Sequence, residues 1–285
     1  VFTNNFSVEA TAIGSWGSLV IRNSTFSNNL AHRGSNPTGG GALALFSSCT
    51  AEISGSTFFN NRTTGFAKGG AIITHGALSI INSTFSGNHA DTHGGAISIE
   101  QGMTTLTHVT LAGNTTNTEG AGIYVNREGQ DKIGTLNVRN TIIANNTGAL
   151  NCAGSGTITN SGNNLRFPAN DASCPGIVGD PKLSALANNG GATQTMALQP
   201  GSAALEKIPA ANGCGVGVTI DQRGVPRPQG TACDIGAFEL QAPAEVPEAD
   251  TLLLLGGGLG GLATWLRYQW SRRKNSSANR AHHRE

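Results

Sequence analysis

The residues best suited to chemistry are few and spread out. His89, Asp91 and His93 stand together in "NHADTH", two imidazoles around a carboxylate, a donor set that can hold a transition metal. The same trio also reads as the polar surface of a loop. Up to residue 149 the carboxylates are Glu9, Glu52, Asp91, Glu100, Glu119, Glu128 and Asp131. Acid–base cleavage of a glycan needs such groups to converge on one bond. Glu100 and Glu119 come nearest to a stacked pair, yet they occupy different positions of the repeat set out below. Further on, Asp221 and Arg223 could act as an acid and a cation, or could close a structural turn in which carboxylates such as Asp234 hold Arg223. Cys49, Cys152, Cys174, Cys214 and Cys233 show no CxxC spacing of the zinc-binding kind. No catalytic residue and no cofactor is expected from these groups, and a metal only if the histidine trio converges.

What must position them is a repeat. Taking the central apolar residue of each "STF"-like stretch as zero aligns Phe26, Phe58, Phe85, Leu111 and Ile143, at spacings of 26 to 32 residues. Five positions earlier stand Ile21, Ile53, Ile80, Leu106 and Val138. Seven earlier stand Leu19, Ala51, Leu78, Thr104 and Leu136. Side chains alternate along a strand, so −7 and −5 share a face while zero has the opposite parity. A corner must lie between, and Asn23, Gly55, Asn82 and Asn140 at −3 suit one. A Gly pair, reduced to Gly120 in the last copy, precedes a second apolar strand at Ala42 to Leu45, Ala71 to Ile73, Ala96 to Ile99 and Ala121 to Val125. Short strands, corners and a period of this length describe a solenoid. The expected fold is all-β, a right-handed single-stranded parallel β-helix over residues 1–149 whose text opens inside a repeat, as though coils precede it.

Every copy carries Asn at +3: Asn29, Asn61, Asn88, Asn114 and Asn146. Stacked coil over coil, these amides form a hydrogen-bonded ladder; read otherwise, they are a ligand-binding row. The Gly pairs fit corners that need positive φ.

"NSTFSGN" followed by "GGAI" resembles the repeats of polymorphic outer-membrane proteins and related bacterial β-helix adhesins, a solenoid of the pectate-lyase-like kind. From residue 150 to 240 the text changes. Asp180-Pro181, Asn189-Gly190-Gly191, Pro200-Gly201-Ser202, Asp221-Gln222-Arg223-Gly224, Arg227-Pro228 and the run from Cys233 to Glu239 resemble the closing segment of choice-of-anchor Q bacterial surface proteins. This segment is expected to cap the rod, because an uncovered last coil would pair with other chains. Two local disulfides, Cys152–Cys174 and Cys214–Cys233, are the favoured pairing among three, and they imply an oxidising compartment. Cys49 is left over as a small buried residue of its coil.

A linker over 241–250 holds Val246, Pro247 and Glu248. An uncharged apolar run begins at Thr251, and 251–270 is expected to cross a membrane as one helix. The tail 271–285 is basic, with Arg272, Arg273 and Lys274 on the cytoplasmic side. This order resembles a PEP-CTERM sorting signal, which implies a sorting protease (exosortase) as a partner; a plain C-terminal anchor is the other reading. Lys and Arg number 12 against 16 acids up to Asp250, so the body has no basic footprint for nucleic acid.

The function that follows is a non-catalytic, adhesive or structural protein of a Gram-negative cell surface, with surface polysaccharide or extracellular matrix as its partner. The rival is a polysaccharide lyase or glycoside hydrolase whose acidic cluster lies on further coils.

Overall fold

In Ala77–Ile81 the side chains of Leu78 and Ile80 are buried and those between them are not, as strand alternation requires. The strand ends at a residue in the left-handed region, and the equivalent corner recurs at Asn23, Gly55, Asn82, His108 and Asn140, with φ between 46° and 59°. Asn and Gly tolerate that backbone best. The corner reverses the parity, so Phe26, Phe58 and Phe85 at position zero point back into the core. A second left-handed corner, which the repeat reading missed, follows two residues later at Asn28, Asn60, Gly87, Gly113 and Asn145.

The computed structural model describes residues 1–7, 12–33 and 39–241, with Arg33 and Glu128 by backbone alone. It is all-β, and its strands stack in parallel into four sheets. Sheet I holds Ser18–Arg22, Thr50–Ser54, Ala77–Ile81, Gly102–Thr107, Lys132–Arg139 and Thr157–Asn160, with Arg127–Glu128 antiparallel at one side. Sheet II runs from Phe2–Thr3 through Thr25–Ser27, Thr57–Phe59, Thr84–Ser86, Thr110–Ala112, Ile142–Ala144 and Leu165–Phe167 to Ile177–Val178. Sheet III holds Phe6–Ser7, Leu30–Arg33, Arg62–Gly65, His89–Ala90 and Thr115–Thr116. Sheet IV holds Ile13–Ser15, Leu43–Leu45, Ile72–Thr74, Ile97–Ile99, Ile123–Val125 and Cys152–Ala153. The chain passes I, II, III, IV in turn, and each strand pairs with its equivalent one coil on. Phe26 lies opposite Phe58, Phe58 opposite Phe85, and Ile53 opposite Ile80.

The core is therefore columns of like residues. Phe2, Phe26, Phe58 and Phe85 stack at 4.6–4.9 Å with planes within 3°. Each fully buried ring or aliphatic chain contributes about 1.5–3 kcal/mol. Cys49 is a free, buried member of this core.

The Asn row is hydrogen-bonded throughout. Asn29 Nδ2 donates to Asn61 Oδ1 (2.7 Å), Asn61 to Asn88 (2.9 Å), Asn88 to Asn114 (2.8 Å) and Asn114 to Asn146 (2.9 Å). The second proton goes to a carbonyl one coil back, such as that from Asn88 to Phe58 O. Each Oδ1 also accepts a backbone N–H, as Asn88 Oδ1 does from Asn61. The row begins at Asn5 and continues through Asn151, whose Nδ2 donates to Asp171 Oδ2 at 2.7 Å. Burial raises the Asp171 pKa, but hydrogen bonds from Ser173 and Asn151 outweigh it and hold the carboxyl below its ordinary range.

The two glycines of each pair serve different needs. Gly69 and Gly94 have φ near 70°, whereas Gly70 and Gly95 do not. A Cβ on Gly70 would lie 2.0 Å from the carbonyl oxygen of Gly95 in the next coil, so the second glycine permits close stacking.

Residues beyond 150 depart from a simple cap. The stretch to Val178 adds strands to sheets IV, I and II, and the Cys152–Cys174 disulfide sits in the coil core. The rest, about 179–241, turns back along the outer face of sheet II and covers a flank rather than an end. Thr57 Oγ1 donates to Gln194 O (2.6 Å), Asn82 Nδ2 to Ile220 O (2.8 Å), and the Ala237 N–H to Thr110 Oγ1 (3.0 Å). Gln222 is the key: its Oε1 accepts from Thr84 Oγ1 (2.6 Å), and its Nε2 donates to Thr57 Oγ1 (3.0 Å) and Thr193 Oγ1 (2.9 Å). Outward-facing Ile142 and Leu165 join Leu198, Ile208, Ile235 and Phe238 in a second core, which contains the Cys214–Cys233 disulfide. Among the described residues no helix is long and apolar enough to cross a membrane; the expected span at 251–270, and Val246, Pro247, Glu248, Arg272, Arg273 and Lys274, lie outside them.

Candidate functional site

Among the described residues ionisable side chains gather in three places, and the geometry differs in each. In the return segment, Arg223 is held by Asp221, not by Asp234. Arg223 Nε and NH2 reach Asp221 Oδ2 at 2.9 and 2.7 Å, and its guanidinium lies 3.6 Å above the Phe238 ring. Asp221 also accepts the N–H groups of Arg223, Val225 and Glu239, which uses up both oxygens. Asp234 instead accepts the N–H groups of Glu206 and Leu240. Arg227 pairs with Glu239 at 2.5 Å, with side chains only 0% and 1% exposed. These groups tie loops together.

On sheet III the histidine trio separates. His89 Nε2 lies 3.0 Å from Asp91 Oδ1, and Asp91 also takes Arg62 NH2 (3.3 Å) and the Gly65 N–H (3.0 Å). Burial raises the Asp91 pKa; the Gly65 N–H, His89 and Arg62 together bring it below its usual value. His93 faces elsewhere, with Nδ1 against Thr118 Oγ1 (3.0 Å) and its ring stacked on Tyr124 (4.3 Å). Among the described residues no group of three or more His, Cys, Asp or Glu is placed to hold a metal ion.

The outer face of sheet IV is the third place and the only one of these where acid, cation, imidazole and phenol meet. The register puts Trp16, Phe46, His75, Glu100 and Asn126 in one column, each immediately after its strand. Lys68, His93 and Glu119 each precede the glycine that opens the same strand, and so flank the opposite side. Glu100 joins the two sides. Its Oε2 accepts from Lys68 Nζ (2.8 Å) and from Asn126 Nδ2 (2.8 Å), and its Oε1 from Ser98 Oγ (2.6 Å). Lys68 Nζ also stands 5.7 Å from the Tyr124 ring centre. Burial lowers the His75 pKa against the pull of Glu100, and burial aided by Lys68 lowers that of His93, so both imidazoles are neutral at pH 7. Burial, with Glu119 and Glu100 adding, raises Tyr124.

Comparison with protein-family models, curated proteins and solved structures finds no match to this chain.

Of the residues singled out from sequence, Glu100 and Glu119 thus fall on opposite sides of one face, and Asp91 belongs to another. Lys68, His75, Tyr124 and Asn126 went unnoticed. The signal was available: counting six places on from Gly40, Gly69, Gly94 and Gly120 gives Phe46, His75, Glu100 and Asn126 in turn.

Proposed function

We propose that the protein is a non-catalytic, extracytoplasmic scaffold of a Gram-negative cell surface, adhesive or structural, with polysaccharide or matrix as its partner. The observation that carries this reading is the state of Glu100. The best-placed carboxylate of the coils has both oxygens engaged by Lys68, Asn126 and Ser98, and it ties three successive coils together. A general acid or base needs an oxygen aimed at a substrate. Two disulfides support an oxidising compartment. A right-handed coil is favoured because parallel strand connections almost always take that hand. On this reading the segment beyond Ala242 serves as the membrane anchor or exosortase-processed sorting signal that its resemblances imply, and the family is the choice-of-anchor Q type.

The test is to incubate the full chain with a panel of surface polysaccharides and score both retained glycan and new chain ends. Retention without new ends is the expected result. New ends that disappear in Glu100→Gln or His93→Ala would replace this reading with a polysaccharide lyase or glycoside hydrolase acting on the face of sheet IV.

A further inference from the structure

Where the last coil meets the return segment there is an open cleft of about 480 Å³, lined by Asn160, Asn163, Asn164, Gly176, Ile177, Lys207 and Ile235. Its polar groups are unequally committed. Asn164 is spent: Nδ2 donates to Val138 O (2.8 Å) and Asn160 Oδ1 (2.9 Å), and Oδ1 accepts the Thr141 N–H (3.0 Å). Asn160 Oδ1 accepts from Asn164 and from the Gly162 N–H, but the Asn160 amide NH2 has no partner among the described residues. Asn163 Nδ2 gives one proton to Asn140 Oδ1 (3.1 Å) and keeps one. Lys207 is exposed and has no ion-pair partner among the described residues. Its backbone is nonetheless fixed, since its N–H and that of Ile208 both donate to Cys233 O, beside the Cys214–Cys233 disulfide.

Asn163 Oδ1 accepts from Asn212 Nδ2 (3.4 Å), so each lining side-chain oxygen has a partner and the groups left without one are donors, one of them cationic; no lining residue is acidic. Beside them Ile177 presents an apolar surface, 48% exposed. Donors around a single cation match a carboxylate with neighbouring hydroxyls, and an aliphatic face matches the C–H side of a pyranose ring. The contrast with sheet IV is direct: there the lysine is already neutralised by Glu100, whereas here the lysine is free. We propose that this cleft binds an acidic sugar of a surface polysaccharide, a uronic acid unit, with its carboxylate on Lys207, its hydroxyls on the Asn160 and Asn163 amides, and its ring against Ile177. This inference rests on the polysaccharide-partner reading and names the chemistry and place of binding.

The test titrates the full chain with oligomers of uronic acid and with neutral glucan oligomers of equal length, while following the side-chain NH2 resonances of Asn160 and Asn163. Uronate oligomers should bind and move those resonances, glucan oligomers should not, and added salt should weaken binding. Lys207→Ala should lose about tenfold or more in affinity, the worth of one charge-assisted contact, with unchanged thermal stability because the side chain supports nothing else. Uronate binding that is undiminished in Lys207→Ala and leaves those resonances still overturns the cleft while leaving the polysaccharide reading intact. Failure of both oligomers, with retention of another glycan from the panel, overturns the cleft alone; retention of none overturns both.

Discussion

Asn88 in the coils and Arg227 in the return segment are both buried, hydrogen-bonded polar side chains, yet they belong to different kinds of structure. Asn88 repeats what Asn61 does below it and Asn114 does above it. Arg227 does something done once: its NH1 meets Glu239 and the Asp234 carbonyl, and its NH2 meets the Gly236 carbonyl. Stability in the coils is shared among equivalent rungs. In the return segment it is concentrated in a few groups that nothing duplicates.

The two regions should therefore fail differently. The largest loss is expected from Arg227→Met, which leaves Glu239 buried and unpaired. Breaking such a pair from one side costs about 3–5 kcal/mol. Denaturant titration should register it, and hydrogen exchange should show amides of 179–241 opening before those of the coils; uniform opening would mean that the two regions unfold as one.

A somewhat smaller loss should appear on acidification, through His108. This residue takes the coil corner that elsewhere holds Asn or Gly, and its Nε2 lies 2.9 Å from Asn140 Nδ2. Burial, with Arg227 adding, lowers its pKa from 6.5 to about 3, although the Gly236 carbonyl pulls the other way. The folded pKa lies below the unfolded one, so below pH 6.5 the unfolded chain binds the proton and the folded chain does not. The stabilisation is complete above pH 6.5 and drains away towards pH 3, on the order of 3 kcal/mol by about pH 4. His108→Asn, the residue found at Asn82 and Asn140, should flatten that part of the stability–pH profile. An unchanged slope would show that His108 takes up its proton without unfolding.

The smallest of the three should be Asn88→Ala, which strands the Asn61 N–H and one Asn61 Nδ2 proton and takes a donor from Asn114 Oδ1 and from Phe58 O. About 2 kcal/mol is expected from a buried donor left unmade, with the rungs on either side intact in amide exchange. A loss as large as that of Arg227→Met would mean that the ladder acts as a single cooperative unit rather than as separable rungs.

The sequence exposed the coils and concealed the flank for one physical reason. Equivalent residues of a solenoid must stack, so position −5 from Ile21 to Val138, the phenylalanines and the asparagines could be aligned before any coordinates were known. The same counting would have found the corner at Asn28 and Asn60 and the column through His75, Glu100 and Asn126. Nothing repeats in 179–241, so its path could not be inferred from period. The clue that the flank was covered lay in the coils: Thr57, Thr84 and Thr110 face outward yet are buried. Arg223 closes the expected turn, but on Asp221, two residues away, rather than on Asp234, a pairing that spacing alone does not reveal.

The return segment also has a mechanical meaning. Bonds between coils run along the rod, so a pull from end to end would load them in series and the stack would part at its weakest layer. The segment crosses several layers, touching Thr57, Thr84, Thr110 and Asn140 in succession. It lies over them as a splint, so that tension on the rod must strip Gln222 from Thr57 or Thr84 before those two coils can separate.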